Sequence, residues 1–440
     1  MENAARRAAL EALERCRREG AWSAACLDAV QKKYALERRD AALTARLCLG
    51  VLQNSAYCDY YIGLYSARRT DSLQPRLLDV LRLGTYQLLF LDKIPARAAV
   101  NECVALCRSA GMERASGLVN AVLRRIAENR EQLPEIPGEG TADWLSRRYS
   151  HPLWLVERLL REHEYAFTEA FLKANNEVPG LTIQVNTRKV PAEDYERALS
   201  RAGIAFREWP ELPGCLELEG GAVTALPGYE EGLFYVQDRA ARCAVEAAGA
   251  ASGMRVLDAC AAPGGKSFAA AIAMGDEGSI LSCDIHEKKL RLIESGAERL
   301  GLRSIRTQAC DAREVLPASH KAFDLVIADV PCSGLGVIRK RPEIREKKES
   351  EIAGLPAVQS EILQALSACV KRGGTLLYST CTVLQAENAE IIEDFLSRNP
   401  DFAPEDFRIG PVRSQGGCYT FWPHIDGTDG FFAAKLKRKE

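Results

Sequence analysis

A chain of 440 residues is longer than one ordinary hydrophobic core serves, so two or three domains are expected. Apolar residues make up 47% and charged residues 27%, and there is neither an apolar leader nor an apolar run long enough to span a bilayer, which excludes a membrane-embedded class and points to the cytoplasm. Fifteen cysteines without a C-x-x-C pair, and five scattered histidines, argue against a disulfide framework and against a structural metal site, leaving reduced thiols, some of them reactive.

The net charge of −2 hides an asymmetry: residues 1–131 hold 21 Lys and Arg against 15 Asp and Glu, a net of +6, so the remainder carries −8. A basic segment ahead of an acidic one suits contact with phosphate, and equally a solvated helical surface. Residues 1–131 read as all helix, broken only by Pro75 and Pro95, with apolar residues at three- and four-residue steps. In residues 77–95, Leu78, Leu81, Tyr86, Leu89 and Phe90 are available to a helical core face. QLPEIPGEG, residues 132–140, has two prolines and two glycines and reads as a linker.

Residues 141–232 form a small mixed α/β segment. Helix is expected to about Phe171, then a strand at Leu181–Asn186, a proline-initiated helix at Pro191–Gly203 and short strands in IAFREW and CLELE. In residues 233–440 the pattern becomes strand, helix, strand, helix. Strands are expected at Met254–Ala259, Ser279–Asp284, Ser304–Asp311, Phe323–Val330, Gly374–Thr380 and Asp429–Arg438, and a helix at Glu287–Gly301. Alternation of this kind builds a Rossmann-like, doubly wound parallel sheet.

The chemistry gathers at the carboxyl ends of these strands, where open α/β sheets hold their ligands. DACAAPGGKS, residues 258–267, follows the first strand and opens a helix, so its small residues let backbone N–H groups approach a ligand at the positive helix end. It is neither a phosphate-binding Walker loop nor G-x-G-x-x-G, so a nucleoside triphosphate or NAD is not directly implied. Asp284 ends the second strand, placed to accept ribose hydroxyls; Asp311 ends the third and Asp329 the fourth. Cys332 leaves the fourth strand in DVPCSGLG, and Cys381 leaves the fifth in YSTCTVLQAEN, residues 378–388. Either thiol alone reads as a small buried hydrophobe, and the two together as packed thiols or a disulfide. With the acidic strand ends on one edge, they point to a nucleoside-bearing cofactor.

DACAAPGGK, CDIHEKKL, DVPCSGLG and YSTCTVLQAEN together resemble the S-adenosyl-L-methionine-dependent RNA cytosine-C5 methyltransferases of the NOL1/NOP2/Sun family. LRLGTYQLLFLDKIPARAAVNECVAL and GLVNAVLRR resemble the NusB-type helical RNA-binding domain, and the pairing is similar to the bacterial enzymes acting on 16S ribosomal RNA. The resemblance implies a NusB-like domain at 1–131, an RRM-like segment at 141–232 and a methyltransferase domain at 233–440. It also implies methylation of cytosine 967 of 16S rRNA, unpaired or flipped out, by a cytoplasmic, metal-free monomer. Carried over residue by residue, it makes Cys260, Ala261, Ala262, Pro263, Gly264, Gly265 and Lys266 the loop around the methionine part of the cofactor. Asp284 then holds the ribose, Asp311 lies at the adenine, and Asp329 sits near the sulfonium and target base. Cys381 matches the nucleophile and Cys332 the product-release cysteine, with Arg339, Lys340 and Arg341 as RNA contacts. Lys266 and the helix N-terminus are candidate sources of the field that lowers the thiol pKa. One departure is Glu346, which stands where the resemblance leads one to expect an aromatic residue.

Three rivals remain: the same chemistry on transfer RNA or another ribosomal RNA site, a non-catalytic NusB-type RNA-binding or transcription factor, and an exocyclic amino-methyltransferase. The first keeps every residue assignment. The paired cysteines and the proline-cysteine after Asp329 argue against the other two.

Overall fold

The N-terminal helices are Ala4–Glu19, Ser23–Lys33, Arg38–Gln53, Ser55–Tyr65, Pro75–Phe90, Ala96–Ser109 and Ser116–Asn129. The computed structural model describes residues 4–20, 22–66, 68–219, 222–314 and 321–440. Among the described residues no helix is long and apolar enough to cross a membrane. Pro75 starts its helix at the position where a missing N–H costs nothing. That helix is buried over a wider arc than a single stripe. Leu77, Val80, Leu81, Leu83, Tyr86 and Leu88 are buried, while the expected Leu78, Leu89 and Phe90 are only partly covered. The reason is that neighbouring helices pack around it on several sides.

The chain divides into two compact units, one made of Met1–Glu177 with Ile338–Glu349, the other of Val178–Val337 with Ser350–Glu440. Residues 132–140 therefore fall inside the first unit, together with helices Ala142–Tyr149, Leu153–Glu162 and Tyr165–Ala174. The physical reason is packing: Ile136 is buried, and Tyr61 donates its hydroxyl to the Pro134 carbonyl at 3.0 Å.

Segment Ile338–Glu349 is held in the first unit by Arg345, whose buried guanidinium donates to the carbonyls of Tyr149 and Ser150 at 2.8 Å each. It also donates to the Asn175 carbonyl at 3.1 Å and to Asn176 Oδ1 at 2.7 Å. Burial lowers its pKa to about 9. Trp154 Nε1 donates to the Lys347 carbonyl at 3.1 Å, and Arg341 lies over the Trp22 ring at 4.3 Å.

The second unit holds two sheets. In the smaller, β1 (Leu181–Val185), β2 (Phe206–Glu208), β3 (Cys215–Leu218) and β4 (Phe234–Val236) are antiparallel in the order β2-β3-β1-β4. Tyr195 and Leu199, from helix Ala192–Arg201, share a core with Ile183, Leu216 and Phe234 of this sheet.

The larger sheet contains β5 (Arg255–Asp258), β6 (Ser279–Asp284), β7 (Ile305–Ala309), β8 (Phe323–Asp329), β9 (Val370–Thr380), β10 (Phe402–Pro404), β13 (Cys418–Phe421) and β14 (Phe431–Arg438). A separate hairpin joins β11 (Arg408–Ile409) to β12 (Val412–Arg413). The large sheet runs β10-β14-β9-β8-β5-β6-β7, with β13 beside β14. Strands β5 to β9 are parallel; β14 is antiparallel to β9 and is flanked by β10 and β13.

Successive residues of the central strands feed opposite faces, as the pleat requires. Val256, Leu325, Ile327 and Leu377 join one core with helices Arg239–Ala248, Gly265–Ala273 and Glu287–Leu300. Leu257, Val326, Ala328, Leu376 and Tyr378 join the other with Leu355–Ser367 and Ala389–Arg398. Strand β9 begins at Val370, four residues before the expected Gly374, because a bulge opposite Phe323–Leu325 absorbs Lys371–Gly373.

Arg345→Lys should lower the unfolding free energy of the full-length protein by ~2–4 kcal/mol, since one ammonium cannot replace a planar fork bonded to four oxygens. Urea unfolding checks this; an unchanged midpoint contradicts it.

Candidate active site

The order β8-β5-β6 reverses direction beside β5: the chain runs outward through β6 and β7, then returns to the other side of β5 as β8. Ligands bind at such a switch point, outside the carboxyl ends of the strands. Register aligns those ends, with Asp258 opposite Ile327 and Asp329 opposite Ser379.

The turn after β5 is set by Gly264, whose φ of +113° lies in the region that favours glycine; a Cβ there would also come within 2.5 Å of the Phe268 ring. The helix it opens is clipped to the sheet by Ser267, whose hydroxyl lies 2.7 Å from both Asp258 Oδ2 and Ser282 Oγ. A cleft of about 150 Å³ opens here, lined by Gln237, Asp258, Cys260 to Pro263, Gly265, Lys266 and Asp329.

Asp258 is fully buried, and its Oδ1 meets no hydrogen-bond donor. Burial above all, opposed by the Ser267 hydroxyl and Lys266, pushes its carboxyl up to about 7. The Cys260 thiol is likewise pushed up, by burial and then by the charges of Asp258, Asp329 and Asp284. An acidic cradle with an unpartnered carboxylate oxygen fits a cationic ligand that brings its own donors.

The structure positions the other expected residues as follows. Asp284 ends β6 and accepts the His286 amide at 2.9 Å. Asp329 accepts Lys266 Nζ at 2.7 Å and the Ser379 hydroxyl at 2.7 Å. Lys266 thus gives its ammonium to Asp329. Asp311 is gripped by Arg313, which donates Nε to both carboxylate oxygens at 3.0 and 3.1 Å and holds the carboxyl down at about 2. Arg339, Lys340 and Arg341 belong to the first compact unit.

Cys332 and Cys381 come together, Sγ to Sγ, at 3.3 Å, and none of the fifteen cysteines is joined in a disulfide. The Cys332 thiol is pushed well above the ordinary range. Its hydrogen bond with Cys381 is the largest cause, followed by burial, the charge of Cys381 and that of Glu387. Two sulfurs this close cannot both be ionised, so the pair holds at most one negative charge. The Cys332 thiol is thereby held in its protonated form.

Sequence reasoning missed the residues beneath the thiols: Ser333, Gln359, Ser379 and Glu387. Glu387 was visible, six positions after Cys381 inside the motif that singled out the thiol, yet a lone glutamate beside a helix reads as solvent-facing. Among the described residues, no group of three or more His, Cys, Asp or Glu is arranged to hold a metal.

Sheet order, glycine turn and acidic cradle define a Rossmann-like methyltransferase domain. The 16S rRNA methyltransferase RsmB/F family matches residues 249–437, the NusB family residues 3–128, and a ferredoxin-like domain of RsmF/B-like methyltransferases residues 151–224. The chain is 34% identical to the probable ribosomal RNA small subunit methyltransferase B of Bacillus subtilis, covering 98% of each chain. It is 34% identical to ribosomal RNA small subunit methyltransferase B of Salmonella heidelberg, over 100% of this chain and 99% of that one. The crystal structure of PH0851 superposes with a TM-score of 0.84 at 25% identity, over 100% of this chain and 99% of that one. A methyltransferase homologue from Pyrococcus horikoshii (TM-score 0.59, 24% identity, 67% and 97% covered) shares the fold. The chain belongs to the 16S rRNA methyltransferase RsmB/F family, whose members are S-adenosylmethionine-dependent, and it carries a NusB domain and a ferredoxin-like domain ahead of the catalytic one.

An aspartate held at about 7 in the fold and near 4 when unfolded stabilises the fold only while neutral. That contribution is complete below about pH 4 and is lost as pH rises through 7. Asp258→Asn should therefore gain in melting temperature over wild type between pH 5 and 8, and level off above that. A pH-independent difference contradicts the assignment.

Proposed function

We propose that the protein methylates carbon 5 of a cytosine in 16S ribosomal RNA, cytosine 967 by resemblance, through a covalent bond between Cys381 and C6 of the base. The observation that carries the proposal is the thiol pair, 3.3 Å apart at the sheet edge that also bears the acidic cradle. Methylation of an exocyclic amine has no use for a thiol.

S-adenosylmethionine, when bound, supplies an electrophilic methyl group on a sulfonium. In this reading residues 260–266 surround its methionine part, Asp284 takes the ribose, Asp311 lies by the adenine, and Asp258 and Asp329 supply the negative potential that a sulfonium favours. The paired Asp329 and Lys266 also fix the floor under the base.

Cytosine C5 is a weak carbon nucleophile. The Cys381 thiolate attacks C6, the electrons of the 5,6 double bond move towards C5, and C5 becomes able to take a methyl group. A base then takes the C5 proton, the electrons of that C–H bond re-form the 5,6 double bond, and the C6–S bond breaks to expel Cys381 as a thiolate. Cys332, which holds its proton 3.3 Å away, stabilises that leaving group, which makes it the release residue.

A base stacked in a duplex does not reach half-buried thiols, so the target is unpaired or flipped out. The +6 segment 1–131 is read as the RNA-binding domain. Arg339, Lys340 and Arg341, which pack with that helical unit, add to its cationic surface.

Methyl transfer from labelled cofactor to unmodified 16S RNA tests this. Cys381→Ala should be inactive, by at least a thousandfold. Cys332→Ala should accumulate a protein–RNA adduct that survives denaturing electrophoresis. Full activity in Cys381→Ala overturns the mechanism, and activity on transfer RNA alone overturns the substrate.

A further inference from the structure

We infer that Glu387 is a positioning residue: its buried carboxylate holds the turns bearing Cys332 and Cys381 against each other and so sets the distance between the two sulfurs. The inference rests on the reading above that both thiols take part in the reaction. Glu387 is 1% exposed and lies beneath both turns. Its Oε2 accepts the Ser333 amide at 2.9 Å and Gln359 Nε2 at 2.9 Å. Its Oε1 accepts the Ser333 hydroxyl at 2.5 Å and the Thr382 hydroxyl at 3.2 Å. Ser333 follows Cys332 directly and Thr382 follows Cys381, so one carboxylate binds the residue next to each thiol.

The rest of the network makes this grip rigid. Gln359, while donating to Glu387, also donates to the Pro331 carbonyl at 2.9 Å, just before Cys332. The Glu387 carbonyl accepts the Tyr378 hydroxyl at 2.6 Å, fixing its backbone to β9. Asn388 accepts the Thr380 hydroxyl at 2.6 Å and donates to the Thr382 carbonyl at 3.0 Å, bracketing Cys381 from both sides. A buried carboxylate surrounded by donors and bonded to neutral partners is costly unless every bond is made. That cost makes the arrangement stiff, because moving either turn strips a bond from a buried charge.

A neutral amide has nearly the same shape but no charge. With its oxygen towards the Ser333 amide and Gln359, its nitrogen must donate to the Ser333 and Thr382 hydroxyls, which reverses those two bonds and replaces charge-assisted hydrogen bonds with weaker neutral ones. Glu387→Gln should lower kcat for methyl transfer at least tenfold while leaving KM for RNA and for the cofactor within twofold. It should also slow diamide oxidation of the free protein at least fivefold. In that reaction diamide takes one hydrogen from each thiol and leaves a Cys332–Cys381 disulfide, which peptide mass mapping detects.

The oxidation needs neither RNA nor cofactor, so it separates this inference from the proposed function. Slowed oxidation with kcat unchanged would retain Glu387 as the spacer and overturn the catalytic role of the thiol pair. Oxidation at the wild-type rate overturns the inference whatever the activity. A raised KM for RNA with kcat unchanged also overturns it, by making Glu387 an RNA-binding residue. Should Glu387→Gln not fold, Ser333→Ala and Thr382→Val each remove donors from one turn. Each should slow oxidation and lower kcat about three- to tenfold, and wild-type values in both overturn the inference.

Discussion

The parallel register of β5, β8 and β9 is the constraint on which the rest of the site depends. Asp258, Asp329 and Thr380 end these three strands, and Cys381 follows immediately. Because the strands run in the same direction, their ends meet at one edge, and the two turns that follow β8 and β9 are neighbours. Gly336 shows how tight the approach is: its amide donates to the Cys381 carbonyl at 2.9 Å, and a Cβ there would sit 1.9 Å from the Gly430 carbonyl oxygen. A side chain at that point would press on the backbone that leads into β14.

Electrostatics divides the labour along that edge. The cradle is acidic, with Asp258, Asp284 and Asp329 around Cys260, and its one nearby ammonium is already committed to Asp329. This arrangement suits a cationic ligand. The thiols are distinguished from each other by their surroundings. Cys332 faces both Cys381 and the Glu387 carboxylate, so it holds its proton. Cys381 Sγ lies 3.3 Å from the Cys332 sulfur.

Much of this was legible in the sequence, for reasons that particular residues make clear. Strands β5, β6, β8 and β9 are apolar on both faces and bounded by turn residues, so they stand out without any alternation. Aspartates at their ends follow the general rule for ligand edges, and the two cysteines lie beside them. The separation of the thiols was not legible, because it depends on the register that pairs Asp329 with Ser379 across fifty residues of chain and on the Glu387 carboxylate bonded to both turns. Arg345 was hidden for the opposite reason: it lies in RKRPEIREKKE, where an arginine reads as solvent-facing, yet it is 5% exposed. Residues 132–140 have the composition of a linker, but Ile136 is buried inside a compact unit. Strands β10 to β13, of two to four residues each, are too short to display a period.

The central claim is that Cys381, and not Cys332, bonds to the base. A 16S RNA fragment carrying 5-fluorocytosine at the target position tests it directly, since fluorine at C5 cannot leave as a proton does and the adduct cannot resolve. With cofactor present, the protein should be trapped on the RNA, and mass mapping should find the modified nucleotide on the peptide containing Cys381. A nucleotide on Cys332, or no trapped complex at all, would contradict the account.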